Sequence, residues 1–355
     1  MAAKIFKGLG IAVLAVVACL ALLIGFLSIT EYRPKDTEVL ALEGMSSKAL
    51  RTGEDVRLMS WNIGYGVLGD NADFFMDGGK SVKTADVERV TDNMEGVFNE
   101  ITAFSPDILF VQEVDRDSAR SEHIDEYFML RALMSGHTSS FANNFKVAFL
   151  PYPVPPIGKV DSGIATFSAY ETAEAERIQL PIPFSWPMRM ANLKRCLLIS
   201  RLPVEGSEKQ LVLIDLHLEA YDDGEGKAAQ TRMLAEVLEE EASKGNYVIA
   251  GGDFNQIFSS ADGSAYPAQP GKWQAGEIDV ATIAGDWQFM MDSSVPSCRS
   301  LDQPYEGAEK ESFQYYLIDG FIFSQNIQVL EFANKDLGFV CSDHEPVEAV
   351  IRLAE

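Results

Sequence analysis

From residue 56 onward the apolar residues of this chain fall into short runs, and several of those runs stop at a carboxylate, a carboxamide or an imidazole. VRLMSWNIG (56–64), DILFVQEVD (107–115), GIATFSA (163–169), RCLLIS (195–200), LVLIDLHL (211–218), YVIAGG (247–252), IDGFIFS (318–324) and PVEAVIRL (346–353) are short, apolar and bounded by polar or turn residues, so they read as strands. Between them, Val87, Val90, Met94, Val97 and Ile101 recur at helical spacing behind a capping Thr84. Residues 225–243 place Gln230, Met233, Leu234, Val237 and Leu238 on a second helix, which Gly245 stops. So many strands with so few helices favour an α/β fold of two packed, mainly antiparallel β-sheets flanked by helices over a strictly alternating doubly wound one. No internal repeat is visible.

The amino terminus obeys a different rule. Ile11 to Ile29 holds no charge and is long enough to cross a hydrocarbon core as one helix. Lys4 and Lys7 precede it, so the positive-inside bias makes 1–10 a short cytoplasmic terminus, 11–30 a transmembrane signal anchor, and everything after Glu31 extracytoplasmic. A cleaved secretory signal is the alternative, but the run exceeds an ordinary signal core and no A-x-A site precedes Glu31. Val16-Val17-Ala18-Cys19 resembles a lipoprotein box, yet apolar residues continue well past Cys19 where such a box would turn polar. Residues 31–55, with Pro34, Gly44 and Gly53, read as a tether to a folded domain at 56–355.

Composition narrows the function. At 47% hydrophobic residues over 355 positions the chain builds a sizeable core and is not disordered. Its formal charge of -24 repels polyanions, so free DNA or RNA is a disfavoured partner unless bound metal and a local basic groove reverse the field, for which Arg189, Lys194, Arg195 and Arg299 are candidates. Cys19, Cys196, Cys298 and Cys341 are widely spaced without CxxC or histidine partners. That argues against zinc and leaves them as small apolar residues, with one disulfide open.

Asn62, Glu113, His217, Asp253, Asn255, Asp319, Asp343 and His344 all sit at or just beyond the ends of strand candidates. Carboxylates and amides in such a set suit a hard divalent cation, magnesium above all, with manganese as substitute. Gly251 and Gly252 would remove side-chain bulk so that a phosphate approaches the backbone, with Asp253 and Asn255 aimed to one side. Asp107, Asp115 and Asp215 read, taken alone, as solvated strand ends, and His123 and His137 match no motif.

SWNIG, VQEVD, IDLHLEA, GGDFNQ, LIDGFIFS and SDHEP, in this order, look like the endonuclease/exonuclease/phosphatase superfamily, the metal-dependent fold of pancreatic deoxyribonuclease and neutral sphingomyelinases. The resemblance covers about residues 55–355 and implies a four-layer α-β-β-α sandwich that hydrolyses phosphodiesters. It implies Glu113 as the metal-binding glutamate, Asn62 beside it completing the metal and phosphate environment, and Asp343 as the remaining metal-side acid. Asp253 resembles the acid that orients or activates the attacking water, Asn255 the amide that holds the phosphate, and His217 the histidine facing it. Asp319 and His344 look like a carboxylate–imidazole pair, and Arg195 sits where several members carry a phosphate-contacting base. Some repair members have an aspartate where this chain has Gly64, which weakens a repair-nuclease reading. The Cys-Asp-Arg of inositol-phosphatase members is missing near LIDGF, so that class drops.

The substrate is a phosphodiester, and either a lipid headgroup or a nucleic acid fits the motifs. FLPYPVPPIGKV (149–160) and LPIPFSWPMRM (180–190) are candidate substrate loops, or simply packed loops. An outward-facing anchored domain of this charge favours a lipid or small headgroup over a surface nuclease. A non-catalytic binding domain is the third reading, and the intact Glu113, Asp253, Asn255 and His344 argue against it.

Overall fold

The computed structural model describes residues 2–222 and 224–355. Its first element, α1 (Ala2–Thr30), contains the uncharged run Ile11–Ile29 behind Lys4 and Lys7. From Lys4 to Thr30 its mean hydropathy reaches 2.9, and Leu9, Leu14, Val17 and Leu22 are all exposed. Among the described residues it is the one helix long and apolar enough to cross a membrane.

The strands follow in chain order: β1 (Thr37–Val39), β2 (Asp55–Asn62), β3 (Ile108–Asp115), β4 (Thr138–Leu150), β5 (Gly158–Ser168), β6 (Glu174–Gln179), β7 (Cys196–Pro203), β8 (Gln210–His217), β9 (Tyr247–Asp253), β10 (Gln256–Phe258), β11 (Gly276–Ile278), β12 (Trp287–Met290), β13 (Cys298–Arg299), β14 (Tyr315–Tyr316), β15 (Asp319–Ser324), β16 (Ile327–Asn334) and β17 (Val347–Leu353). Helix α2 (Val87–Phe104) lies between β2 and β3, α3 (Glu126–Leu133) between β3 and β4, and α4 (Glu225–Ser243) between β8 and β9. One sheet has the order β1-β6-β7-β8-β9-β15-β12 and the other β16-β17-β2-β3-β5-β4. Most neighbours are antiparallel, but each sheet holds one parallel pair, β2 with β3 and β8 with β9. A parallel pair needs a long crossover, and α2 and α4 are those crossovers. The chain therefore contains two β-α-β units whose likeness the sequence does not display.

The layering follows from strand periodicity, because successive side chains point to opposite faces. On β2, Val56 and Leu58 face inward and meet Ile108, Phe110, Leu211, Leu213, Ile249 and Phe321 in a core between the sheets. Met59 and Trp61 face outward and pack with Leu109, Val111, Val90, Met94 and Val97 beneath α2. On the other side, Val212, Ile214, Val248 and Ala250 face outward beneath Leu234 and Leu238 of α4. Helix, sheet, sheet, helix is the four-layer sandwich expected.

Two local expectations need correction. Asp86, not Thr84, caps α2: its carboxylate accepts the Arg89 N–H at 2.9 Å, while the Thr84 hydroxyl turns to the Val67 carbonyl. Residues 31–55, expected as a tether, are laid along the domain. There β1 pairs with β6, single bridges join Glu43 to Ser139, Lys48 to Tyr170 and Leu50 to Val204, and Leu50 enters the inter-sheet core.

Candidate functional site

Both parallel pairs run the same way relative to one rim of the sandwich, so the ends of β2, β3, β8 and β9 bring Asn62, Glu113, His217 and Asp253 together, and the last three line a shared cavity. Antiparallel β15 starts there, with Asp319 opposite Asp253, and the residues before β17 add Asp343 and His344. Glu113 owes its direction to a bulge. The β3–β5 register shifts between Val111 and Val114, Glu113 adopts φ 56°, and Gln112 turns inward to the Asp215 carboxylate at 2.7 Å. A left-handed non-glycine residue costs on the order of 1–3 kcal/mol, which the surrounding packing must offset.

Asp253 is the hub. Its Oδ2 lies 3.0 Å from Asn62 Nδ2, 3.3 Å from His217 Nε2 and 3.8 Å from His344 Nε2, and its Oδ1 accepts the Asn255 backbone N–H at 2.9 Å. His344 Nδ1 meets Asp319 Oδ2 at 2.8 Å. Asn255, at φ 51°, donates Nδ2 to the Leu218 carbonyl, which leaves one amide hydrogen for a ligand.

The two site histidines carry opposite electrostatics. Burial opposes charge on His344, but the Asp319 carboxylate outweighs it and holds the imidazole well above its ordinary range. Burial, the Arg195 guanidinium and the charge on His344 hold His217 well below its own. His344 is thus the imidazolium and His217 the neutral ring. With His217 Nε2 facing the Asp253 carboxylate, its Nδ1 is buried without a hydrogen-bond partner and 4.0 Å from Glu113 Oε1. Burial and the Asp319 charge also raise Asp253 above the usual carboxylate range, against the pull of His344.

Glu113 and Asp343, beside His217 and His344, are the cavity acids suited to a cation. Glu113 is raised by burial and by Asp343 although Arg120 draws it down, and Asp343 is raised by burial in turn. Two carboxylates in one desolvated space without a full cationic partner are hard-cation chemistry. Other acid and imidazole clusters are tighter, Asp253 with Asp319 and His344, and Cys298 with Asp343 and His344. In the first, His344 is already paired with Asp319, and in the second burial pushes the Cys298 thiol up to about 12, which keeps it protonated. Asn62 is largely committed, since its Oδ1 accepts the Gly64 N–H at 3.1 Å and its Nδ2 serves Asp253.

Several expectations change at this distance scale. Gly251 and Gly252 serve packing rather than phosphate approach. A Cβ on Gly251 would stand 2.1 Å from Phe321 Cδ1, and one on Gly252, at φ 135°, 2.0 Å from the Leu216 carbonyl oxygen. Asp215 and Asp115 are wholly buried: the first takes Gln112 and Thr166 between the sheets, the second a two-pronged Arg120 at 2.9 and 3.0 Å. Of the four candidates for a basic groove only Arg189 is exposed, and it is paired with Glu31. Arg299, Lys194 and Arg195 are 1%, 3% and 4% exposed; Arg299 donates to the Gly69 and Ser300 carbonyls, Lys194 to the Arg189 carbonyl, and Arg195 to the His217 carbonyl with Glu219 beside it. Arg195 still lines the cavity. His123 and His137 lie outside it, and all four cysteines are free.

Sequence reasoning missed other residues on the cavity wall. Arg120 stacks over the Tyr65 ring at 3.5 Å, and the Tyr221 hydroxyl donates to Asp77 at 3.0 Å. Burial pushes Asp77 up to about 6 despite that hydrogen bond. No motif flags them, because short turns and loops deliver them.

A carboxylate hub flanked by a charged and a neutral imidazole, beside the acids Glu113 and Asp343 at the rim of a four-layer sandwich, defines a phosphoester hydrolase. The chain belongs to the endonuclease/exonuclease/phosphatase family, whose sequence model matches residues 59–302. Its fold is similar to that of the endonuclease/exonuclease/phosphatase from Beutenbergia cavernae, with a TM-score of 0.57 and 18% identity, covering 84% of this chain and 72% of that one. It is similar also to the human Nocturnin catalytic domain with bound sulfate anion, at 0.51 and 16%, covering 89% and 98%. D. rerio TDP2 complexed with single strand DNA product follows at 0.50 and 16%, covering 84% and 99%. At these identities the likeness concerns the fold alone. No curated protein matches the sequence.

Proposed function

We propose that the protein is a divalent-metal-dependent phosphodiesterase, anchored by α1 with residues 31–355 outside the membrane, that cleaves a lipid or other small-headgroup phosphodiester. Magnesium is the proposed cation, with manganese as substitute. The observation that carries the reading is the arrangement around Asp253: a buried carboxylate within 3.8 Å of both histidines, of which His344 alone is held charged by Asp319.

In this reading Glu113 and Asp343 hold the cation with Asn62 beside them, and the cation supplies charge stabilisation on the phosphoryl and leaving oxygens. Asp253, raised toward neutrality by its surroundings, orients a water and accepts its proton as the water oxygen bonds to phosphorus. The ester P–O bond breaks, the departing oxygen leaving as an alcohol with a proton from solvent. His344 donates Nε2–H to a phosphoryl oxygen, and Asp319 keeps the ring oriented and charged. The second amide hydrogen of Asn255 and the cavity side of Arg195 bind the remaining oxygens. His217 offers its unpartnered Nδ1 to the water or to a substrate hydroxyl.

The net charge of -24 and the burial of Arg299, Lys194 and Arg195 favour a substrate with one phosphodiester over a long polyanion. A surface-anchored nuclease is the second reading, favoured by the likeness to a fold solved with single strand DNA product. The two separate in a panel of vesicle phospholipids, sphingomyelin, nucleotides and plasmid DNA given to the full chain with magnesium. Lipid turnover with little DNA nicking is expected. Efficient, salt-sensitive nicking without lipid turnover would make it a nuclease, and no turnover of any substrate would leave a non-catalytic binding domain.

A further inference from the structure

The cavity that contains Glu113, His217, Asp253 and His344 has a volume of about 830 Å³ and does not end at its polar groups. It continues to an apolar wall made by Leu23, Ile24 and Leu27 of α1, together with Phe145, Leu150 and Met190. Helix α1 is seated there. Leu27 is buried against Val147 and Met190, Ser28 Oγ lies 3.1 Å from Met190 Sδ, and Glu31 receives Arg189 at 3.2 Å and Lys194 at 4.0 Å. Ile24 nevertheless stays exposed and Leu23 only half-buried, so docking leaves apolar helix surface facing the cavity.

Depth gives that wall its meaning. A hydrocarbon core of about 30 Å takes about 20 residues of helix at a 1.5 Å rise. The expected span 11–30 has that length, and Leu23, Ile24 and Leu27 fall within its last two turns. The part of α1 that walls the cavity thus lies at the outer boundary of the bilayer, with the polar groups of the cavity just above. Around this mouth Met76, Tyr152, Val154, Trp186 and Met188 are exposed, as apolar and aromatic side chains are at a membrane interface.

We infer that the last turns of α1 are one wall of the substrate site, and that the cavity takes the acyl portion of a lipid drawn from the protein's own bilayer, its phosphodiester lying between Glu113 and His344. The inference rests on the phosphodiesterase reading and goes further: the helix selects substrate as well as holding the enzyme. A polar nucleotide has no use for a wall of Leu23, Ile24 and Leu27, whereas a lipid reaches it without leaving apolar surroundings.

The test uses the full chain in vesicles of equal parts phosphatidylcholine, phosphatidylethanolamine and phosphatidylglycerol, with soluble bis(p-nitrophenyl) phosphate as a second probe. Leu23→Trp fills the wall, and Met188→Trp does so from an exposed position that folding does not need. Each variant should lower the rate on vesicle lipid at least tenfold more than it lowers hydrolysis of the soluble diester. Equal effects on both probes in Met188→Trp, or no effect on lipid in either variant, would overturn the inference. Wild-type turnover of the soluble diester without lipid would overturn it alone, and turnover of neither probe would remove the phosphodiesterase reading as well.

Discussion

Asp253 touches both halves of the site, so its neighbours should fail together rather than singly. Asp253→Asn, His217→Ala and His344→Ala should each lower kcat on a soluble diester by about a hundredfold, the scale of one acid–base or electrostatic group, with circular dichroism unchanged. Because Asp319 acts through the His344 ring at 2.8 Å, the Asp319→Ala/His344→Ala double variant should be little worse than His344→Ala; losses that multiply would dissolve the pair. The glycines give the opposite kind of expectation. Gly252→Ala places a Cβ 2.0 Å from the Leu216 carbonyl at a positive φ, so it should cost stability by about 1–3 kcal/mol or more in urea melts while the folded fraction keeps its KM. A raised KM with full stability would restore the phosphate-approach role. Residues of this kind show what was legible. Asn62, Glu113, Asp253 and His344 announce themselves as polar residues ending apolar runs, whereas the task of Gly252 depends on a β8 carbonyl that no local pattern names. Gly64 belongs with it: a Cβ there would meet Leu68 Cβ at 2.8 Å and Asp343 Oδ1 at 3.0 Å, so in this chain Leu68 and Asp343 occupy the space that an aspartate at 64 needs.

Elements buried on both faces could be read directly, since β2, β3, β8, β9 and β15 are apolar along most of their length. The strands of six or more residues that escaped are β4, β6 and β16. TSSFANNFKVAFL and EAERIQ carry serine, asparagine and charge because they lie toward sheet edges, where one face meets solvent or loops. Charge pairing fastens α4 to the sheet. Glu241, near its end, takes Arg201 of β7 through both oxygens at 2.8 and 2.9 Å, with Lys244 and Asn246 adding further bonds. Burial works against the charge, but these donors outweigh it and lower Glu241 to about 2. A depressed carboxyl stabilises the fold fully above its unfolded value near 4.5 and loses that contribution as pH falls toward 2. Glu241→Gln should therefore destabilise the protein at pH 7 by on the order of 1–3 kcal/mol, with wild type and variant converging between about pH 4.5 and 2 in denaturant melts. A difference independent of pH across that window would remove the ion pair from the account.

At the scale of the whole molecule, the sandwich and its rim were legible because six motifs in order define one topology, while the seating of α1 was not. An apolar helix reads as a span whatever it touches, and only the fold brings Leu27 to Met190 and residues 31–55 to the sheet edges. In the proposed orientation, epitopes on residues 56–355 should be cleaved by protease added to intact cells, and full protection would contradict it. The central claim is that Glu113, Asp343 and the Asp253 hub form a single metal-dependent hydrolytic site. The most direct measurement is the rate on bis(p-nitrophenyl) phosphate across a magnesium titration, with and without chelator, for wild type and Glu113→Gln. Activity should vanish in chelator, return with magnesium or manganese, and require a markedly higher metal concentration in Glu113→Gln. Full activity in chelator, or the same metal dependence in both proteins, would contradict it.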